Sequence, residues 1–210
     1  MSIESQGTKL EISGSSGSAV TGCTPTAGYP TVITKASHGL VNGDVVTISG
    51  VTGDNAAAVN GEWIVKYATT GTFTIDCNST GFTGMGTAAV ATPLAWLEIG
   101  EVTDWDGPGG SATMYETTHL QSEAKEKKIG LMDEGQLSLT INWEPSDLGQ
   151  QAARQARADR TEKSFRLTYS DDSKATFQGY VMGMSSSGGV DNKVSGSITI
   201  EISGPVVYNT

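Results

Sequence analysis

The sequence predicts a mainly β protein, an antiparallel β-sandwich or barrel with one flanking α-helix and a long loop, plus an inserted small all-β domain. Glycine, which supplies tight turns, accounts for 27 of the 210 residues. Short segments rich in Val, Ile and Thr are bounded by Gly, Asn or Asp, as expected of strands joined by turns. In the longer segments apolar and polar residues alternate, which is typical of antiparallel sheets with one buried face.

The main domain is predicted to consist of residues 1–20 and 93–210. Its first strand lies in "TKLEIS", where Leu10 and Ile12 share one face. "LAWLEIGEVTDW", just after Pro93, is a longer strand candidate. The inward faces of three later strands are predicted to be Leu137, Leu139, Ile141 and Trp143; Phe165, Leu167 and Tyr169; and Val194, Ile198, Ile200 and Ile202. "ATFQGYVMGMS" is a further strand candidate.

One helix is predicted, in "PSDLGQQAARQARADR". Ser146 or Asp147 is suited to be its N-cap, and Gln150 stands three residues after Asp147, as in a capping box. Apolar residues at intervals of four define the face expected to pack on the sheet. That face consists of Leu148, Ala152 and Ala156.

Residues 21–92 are predicted to form the inserted β domain. "GSSGSAVTG" at its front reads as a flexible Gly/Ser linker, and Pro93 marks its end. Between them lie five short strand candidates, which are "TVITKA", "DVVTISG", "EWIVKYA", "GTFTID" and "GMGTAAVA". Such spacing is typical of a small barrel or sandwich.

The segment 105–135 shows little strand pattern and is predicted to be a long loop. Irregular stretches of that length inside a compact domain are usually functional or become ordered by a partner. Within it, "SEAKEKK" (122–128) is the densest basic cluster of the chain. It is either a solvated charged loop or an electrostatic contact to an acidic neighbouring subunit.

Composition excludes several classes of function. The net charge of −10 disfavours a nucleic-acid-binding protein, because such binding depends on cationic contacts to phosphate. Cys23 and Cys77 are too few and too far apart for a zinc site, and reduced thiols are favoured over a disulfide. The N-terminus lacks the pattern of a signal peptide, and no apolar run approaches a membrane span. A soluble chain made in the cytoplasm is therefore expected.

No catalytic or metal-binding constellation is recognisable. His38 lies far in sequence from the other histidine, His119, and beside an Asn-Gly-Asp turn, so a structural role is favoured. Asp104 and Asp106 have the spacing of a calcium loop, but Pro108 and Tyr115 stand where ligands belong. The pair Asp171–Asp172 fits a hairpin turn. The chain is therefore predicted to be no enzyme and to use no metal or cofactor.

Several motifs follow one another in order over residues 93–210. They are "LEIGEVTDWDGPGG", a Thr-rich charged loop leading into "IGLMDEG", the helix "GQQAARQA", and a closing strand that ends in "ISGPV". Together with the strand near residue 10, these motifs resemble the major tail or tail tube proteins of long-tailed, lambda-type bacteriophages. Separately, "HGLVNGDVVTISG" and "NGEWIVKYATTGTFTI" resemble small β modules of phage virion proteins. The unusual feature is the position of that module, inside the main domain.

The resemblance implies a structural virion protein of a siphophage tail whose rings, typically hexamers, stack into a hollow tube. Its partners would be further copies of itself and the tape measure, terminator and distal tail proteins. Viral DNA would pass through the lumen without specific binding, and no membrane anchor is implied. The long loop is the expected contact between subunits. Its predicted interface residues are Met114, Tyr115, Thr117, Thr118, His119, Lys125, Lys127, Lys128, Leu131 and Asp133.

A second hypothesis is a phage decoration protein or a receptor- or glycan-binding β protein. In that case Tyr29, Trp63 or Phe82 would be the aromatic contacts to the ligand.

Overall fold

The computed structural model describes residues 5–209 and confirms the mainly β class with one flanking α-helix. The strands are β1 (Lys9–Ser16), β2 (Val20–Thr26), β3 (Thr31–Thr34), β4 (Val45–Ser49), β5 (Gly61–Ile64), β6 (Thr72–Ile75), β7 (Ala89–Glu98), β8 (Val102–Asp106), β9 (Ser111–Glu116), β10 (Lys127–Asp133), β11 (Gln136–Asn142), β12 (Lys163–Thr168), β13 (Lys174–Ser187) and β14 (Ser195–Asn209). The helix α1 is Leu148–Asp159, and a short 3-10 helix covers Ala56–Ala58.

Twelve of these strands form one antiparallel array in the order β6-β3-β2-β7-β1-β12-β13-β14-β11-β8, with β4 and β5 attached beside β7. β9 and β10 form a separate two-stranded sheet. The array encloses two hydrophobic cores. We call the part built by β1 and β11–β14 with α1 the sandwich lobe, and the part built by β2–β6 the barrel lobe.

In the sandwich core, most of the residues predicted to face inward are buried. Leu10 and Ile12 of β1 are buried, and β12 contributes Phe165 and Leu167. Phe165 stacks on Phe177 of the neighbouring strand, with ring centroids 5.8 Å apart. The other predicted inward residues that are buried are Leu137, Leu139, Ile141, Ile198, Ile200 and Ile202. The prediction for Val194 is wrong, because this residue precedes β14 and its side chain is exposed.

The barrel lobe is closed by a bridge between its two outer strands. The chain just after β5 pairs with β6 at Lys66 and Thr74, which exchange two backbone hydrogen bonds of 2.9 and 2.8 Å. Inside lie Phe73 and the free thiols of Cys23 and Cys77. Burial raises the pKa of both thiols, which keeps them protonated.

The strand β7 runs without interruption from one lobe into the other. It pairs with β2 and β4 in its first half and with β1 in its second half. The boundary predicted at Pro93 therefore falls inside a strand. The longer strand predicted after it instead ends at Glu98, and β8 starts at Val102 after a turn in which Glu101 has a positive φ of 62°. The division into residues 1–20 with 93–210, and 21–92, stays a prediction.

The predicted Gly/Ser linker is wrong, because its residues belong to β1 and β2 with only residues 17–19 between them. Its glycines allow close packing against β7. A Cβ on Gly14 would lie 2.8 Å from Cγ of Leu97, and the backbone N–H of Gly17 donates to the Pro93 carbonyl at 2.6 Å. Glycine composition alone does not distinguish such a close approach from a flexible segment.

The predicted cap of α1 is confirmed. The carboxylate of Asp147 accepts a hydrogen bond of 2.7 Å from the backbone N–H of Gln150. The predicted face is partly wrong, because Leu148 is exposed and the buried positions of α1 are Gly149, Gln150, Ala153 and Ala156. Gly149 allows α1 to contact the end of β7, since a Cβ there would lie 2.2 Å from the Glu98 carbonyl oxygen.

Polar contacts fix the two lobes against each other. Glu62 of the barrel accepts a hydrogen bond from the Ser164 hydroxyl of β12, and its backbone carbonyl accepts one of 3.1 Å from Gln178. At the other side of the junction, the Asn209 amide donates to the Asn42 carbonyl at 2.9 Å. These bonds join positions more than 100 residues apart in the sequence.

An ion pair lies on the outer face of the strands beside this junction. Arg166 donates to both carboxylate oxygens of Glu11, at 2.7 and 2.8 Å, and its guanidinium lies 4.4 Å from the ring centre of Trp96. Burial alone would raise the pKa of Glu11, but the hydrogen bonds and charge of Arg166 outweigh it and lower that pKa. Bidentate geometry of this kind is the stronger form of arginine–carboxylate pairing.

Candidate assembly interface

The segment predicted to be a long loop is a β-hairpin. β9 and β10 pair with each other from Ser111–Asp133 at the base to Glu116–Lys127 near the tip. The expectation of an irregular segment is therefore wrong. No face of this hairpin is buried, so burial imposes no alternation of polar and apolar residues on its sequence.

One face of the hairpin is apolar. Met114 pairs with Ile129 and Ala112 with Met132, so these four side chains project from the same side. Two residues of β9 span the same length as three of β10, which shows a β-bulge between Ile129 and Met132. The bulge aligns Ile129 and Met132 on one side although they are three positions apart. We call Ala112, Met114, Ile129 and Met132 the apolar face.

The apolar face is exposed in the isolated chain. Met114 is 65% exposed, Ile129 72% and Met132 69%. Contiguous apolar surface of this kind usually marks a contact to another molecule. An isolated two-stranded hairpin is also marginally stable in water, and among the described residues neither β9 nor β10 pairs with another strand. The hairpin therefore has the properties of a surface that is completed by a partner.

The side opposite the apolar face carries polar residues, and the tip is fixed by hydrogen bonds although it also exposes Leu120. Thr113, Tyr115 and Lys128 project from the side opposite the apolar face. At the tip, Thr118 accepts a hydrogen bond of 3.0 Å from the backbone N–H of Glu126, and the Thr117 N–H donates to the Glu126 carbonyl at 2.9 Å. These bonds give the tip a defined turn.

All ten predicted interface residues lie on this hairpin or its tip, and nine of them are exposed, with Thr117 half-buried. The structure thus brings them together on one hairpin. Their contact with a neighbouring subunit stays a prediction. The predicted set does not include Ala112, Ile129 and Met132, which share the apolar face with Met114. A sequence signal for the apolar face exists, because apolar residues alternate in "ATM" (112–114) and are frequent in "IGLM" (129–132). The bulge in β10, however, breaks the two-residue alternation that identifies a strand face.

The basic cluster of the tip is solvated. Lys125 lies 3.9 Å from Glu116 with both side chains at least half exposed, a geometry that contributes little to stability. Lys127 and Lys128 are exposed on opposite faces of β10. The cluster is therefore accessible to a partner of opposite charge.

The remaining polar candidates have structural surroundings. The His38 ring is buried, accepts a hydrogen bond of 3.1 Å from the Leu40 N–H and meets Phe73 edge-on at 5.2 Å. Asp104 and Asp106 lie within β8 and not in a calcium-binding loop. Asp171 and Asp172 form the predicted turn, where Asp171 accepts a hydrogen bond of 3.0 Å from the Ser173 N–H. Within residues 5–209, no group of three or more potential metal ligands is present.

The three aromatic residues of the ligand-binding hypothesis differ in exposure. Tyr29 is exposed, whereas Trp63 and Phe82 are half-buried: Trp63 donates its indole N–H to the Val59 carbonyl at 2.8 Å, and Phe82 packs against the barrel core. The ligand-binding hypothesis stays a prediction.

Comparison with known families decides the assignment. A family model described as lambda phage tail tube protein, TTP, matches residues 81–208, which is more than half of the chain. The chain belongs to this family. A comparison with curated proteins finds no significant match.

Membership confirms the resemblance of the main domain to tail tube proteins and assigns the chain a structural role in a phage tail tube. The resemblance of the inserted segment to small virion β modules stays a prediction. It implies location in the virion, self-assembly into a tube and contact with other tail proteins. The matched range includes the whole hairpin and α1, whereas β1–β6 precede it. In the described part of the chain, the structure contains no helix long and apolar enough to cross a membrane.

Proposed function

We propose that this tail tube protein assembles into six-membered rings that stack into a hollow tube, through which viral DNA leaves the capsid during ejection. The observation that carries the proposal is the exposed apolar face of a hairpin that pairs with no other strand in the described part of the chain, which belongs to the tail tube family. The tape measure, terminator and distal tail proteins of a flexible, siphophage-type tail would be the other partners.

In this proposal the hairpin packs its apolar face against a neighbouring subunit. Fully burying a side chain such as Met or Ile stabilises by about 1.5–3 kcal/mol relative to leaving it exposed. Three such side chains on one face therefore offer several kcal/mol to an interface, enough to order a hairpin that is marginal alone. The predicted interface residues at the tip, such as Thr118 and Lys125, would surround this apolar contact.

The acidic composition supports an acidic lumen. The chain carries 23 Asp and Glu against 13 Lys and Arg. Carboxylates on the wall of a channel repel DNA phosphates, so the genome would slide without specific binding. The barrel lobe would lie on the outside of the tube, away from the DNA path.

Removal of the hairpin tests the proposal. Ser111 and Asp133 are directly paired, so an Asn-Gly turn replacing residues 112–132 would close the base without strain. We expect the variant to melt as a folded monomer, because no core side chain is removed, and to form no rings or tubes in electron micrographs. Tubes of normal diameter and length from this variant would show that the hairpin is not the contact between subunits.

A further inference from the structure

A second surface of the sandwich lobe carries an unusual concentration of arginine. A groove of about 630 Å³ lies between the C-terminal half of α1 and β13. The residues that define its character are Arg154, Arg157, Arg160, Tyr180 and Met182. The chain contains four arginines, and three of them line this groove.

Within residues 5–209, the groove arginines form no salt bridge with a carboxylate, whereas the fourth arginine, Arg166, is paired with Glu11. Asp159, the acidic residue of the same helix, holds both carboxylate oxygens 2.9 Å from the amide of Gln155. Arg154 lies 5.3 Å from the ring centre of Trp143, which orients it without neutralising it. A cationic groove thus remains unneutralised on a chain of net charge −10.

The rest of the lining is suited to a protein partner. Tyr180 and Met182 project from β13 with large exposed fractions. Arginine, tyrosine and methionine are the side chains enriched at protein–protein contacts, where aromatic and aliphatic surface is buried around charge-assisted hydrogen bonds.

A complementary surface exists elsewhere on the same chain. β8 is the last strand of the array and, among the strands that the structure describes, pairs with β11 alone. Trp105 packs against the core, so Asp104 and Asp106 project from the outer face. An exposed edge strand with free backbone groups is a surface that proteins either protect or use for association.

We propose that the arginine groove receives the acidic edge strand β8 of a second copy of this chain. Because the groove and β8 are different surfaces, the contact is heterologous, and repeated contacts of this type form a ring when the rotation between neighbours closes, as the proposed six-membered ring requires. The inference rests on the proposed function and specifies the lateral contact within it. Electrostatic complementarity of this kind also fixes which surfaces meet.

Charge reversal with rescue tests the contact on the full-length chain. The variants are Arg157→Glu, Asp106→Arg, the two combined, and Lys193→Glu as the matched control in the loop between β13 and β14, where the side chain is exposed. The critical concentration for polymerisation is measured by sedimentation, and monomer folding by thermal melting. We expect each groove or edge reversal to raise the critical concentration about tenfold or more, and the double variant to return within about threefold of the wild type. The critical concentration of the Lys193→Glu control should stay within about twofold of the wild-type value.

Each result decides a separate question. Wild-type polymerisation together with normal polymerisation of Arg157→Glu would overturn the groove contact and leave the proposed function standing. A double variant no better than either single reversal would also overturn it. Binding of duplex DNA that is lost in Arg157→Glu, with polymerisation unchanged, would assign the groove to nucleic acid instead. A wild-type chain that forms no polymer at any concentration would overturn both proposals.

Discussion

The Ile129→Asp variant is expected to remain folded and to lose polymerisation. Ile129 belongs to the apolar face, where it pairs with Met114, and is 72% exposed in the isolated chain, so the substitution removes no core packing. In an assembled tube it would forfeit about 2 kcal/mol of apolar burial and place an unpaired carboxylate in the contact. A combined loss of about 3 kcal/mol or more raises the concentration needed for polymerisation at least about a hundredfold. Sedimentation and negative-stain microscopy measure this directly.

Val190→Asp is the matched control for this variant. Val190 is also an exposed β-branched residue, but it lies in the turn between β13 and β14, remote in sequence from the hairpin. The same change of charge there should leave the concentration needed for polymerisation within about threefold of the wild-type value, because isolated surface substitutions have small effects. Equal loss in both variants would indicate that added negative charge, and not the apolar face, is responsible.

The Gly149→Ala variant is expected to lower the free energy of unfolding by about 3 kcal/mol, although the same change in an ordinary helix stabilises by about 1 kcal/mol. A Cβ at this position would lie 2.2 Å from the Glu98 carbonyl oxygen and 2.6 Å from the Ile99 Cα. Both are backbone atoms, so α1 must move away from the end of β7 or β7 must shift. Urea unfolding of the monomer measures the change.

Gly109→Ala provides the comparison, since nothing lies within 4 Å of a Cβ built there. Its free energy of unfolding should change by no more than about 0.5 kcal/mol. A Gly149→Ala variant that is more stable than the wild type would contradict the close packing of α1 on β7.

Local signals in the sequence predicted the fold well, and tertiary contacts determined the rest. The cap of α1 was predictable because Asp147 and Gln150 are three residues apart and their bond is local. The packed face of α1 was not, because Gly149 is selected by a contact to a strand some fifty positions away. Alternation predicted the buried faces of β1, β11 and β12 because each has one side on the core.

The hairpin and the junction between lobes show where sequence patterns fail. Alternation arises from burial within the chain, and the apolar face has none, so the pattern of β9 and β10 is weak and the bulge disturbs it further. The pairing of Glu11 with Arg166 joins positions 155 residues apart, so no local sequence pattern could predict it. Glycines of the "GSSGSAVTG" segment suggested flexibility, whereas Gly14 and Gly17 lie close against β7.

A cryo-electron microscopy map of the polymer formed by the wild-type chain would show whether the hairpin joins the subunits of a tube. We expect stacked rings around a hollow lumen, with Met114, Ile129 and Met132 buried against a neighbouring subunit and carboxylates facing the channel. A strictly monomeric chain at high concentration, or a tube in which the apolar face of the hairpin remains in solvent, would contradict it.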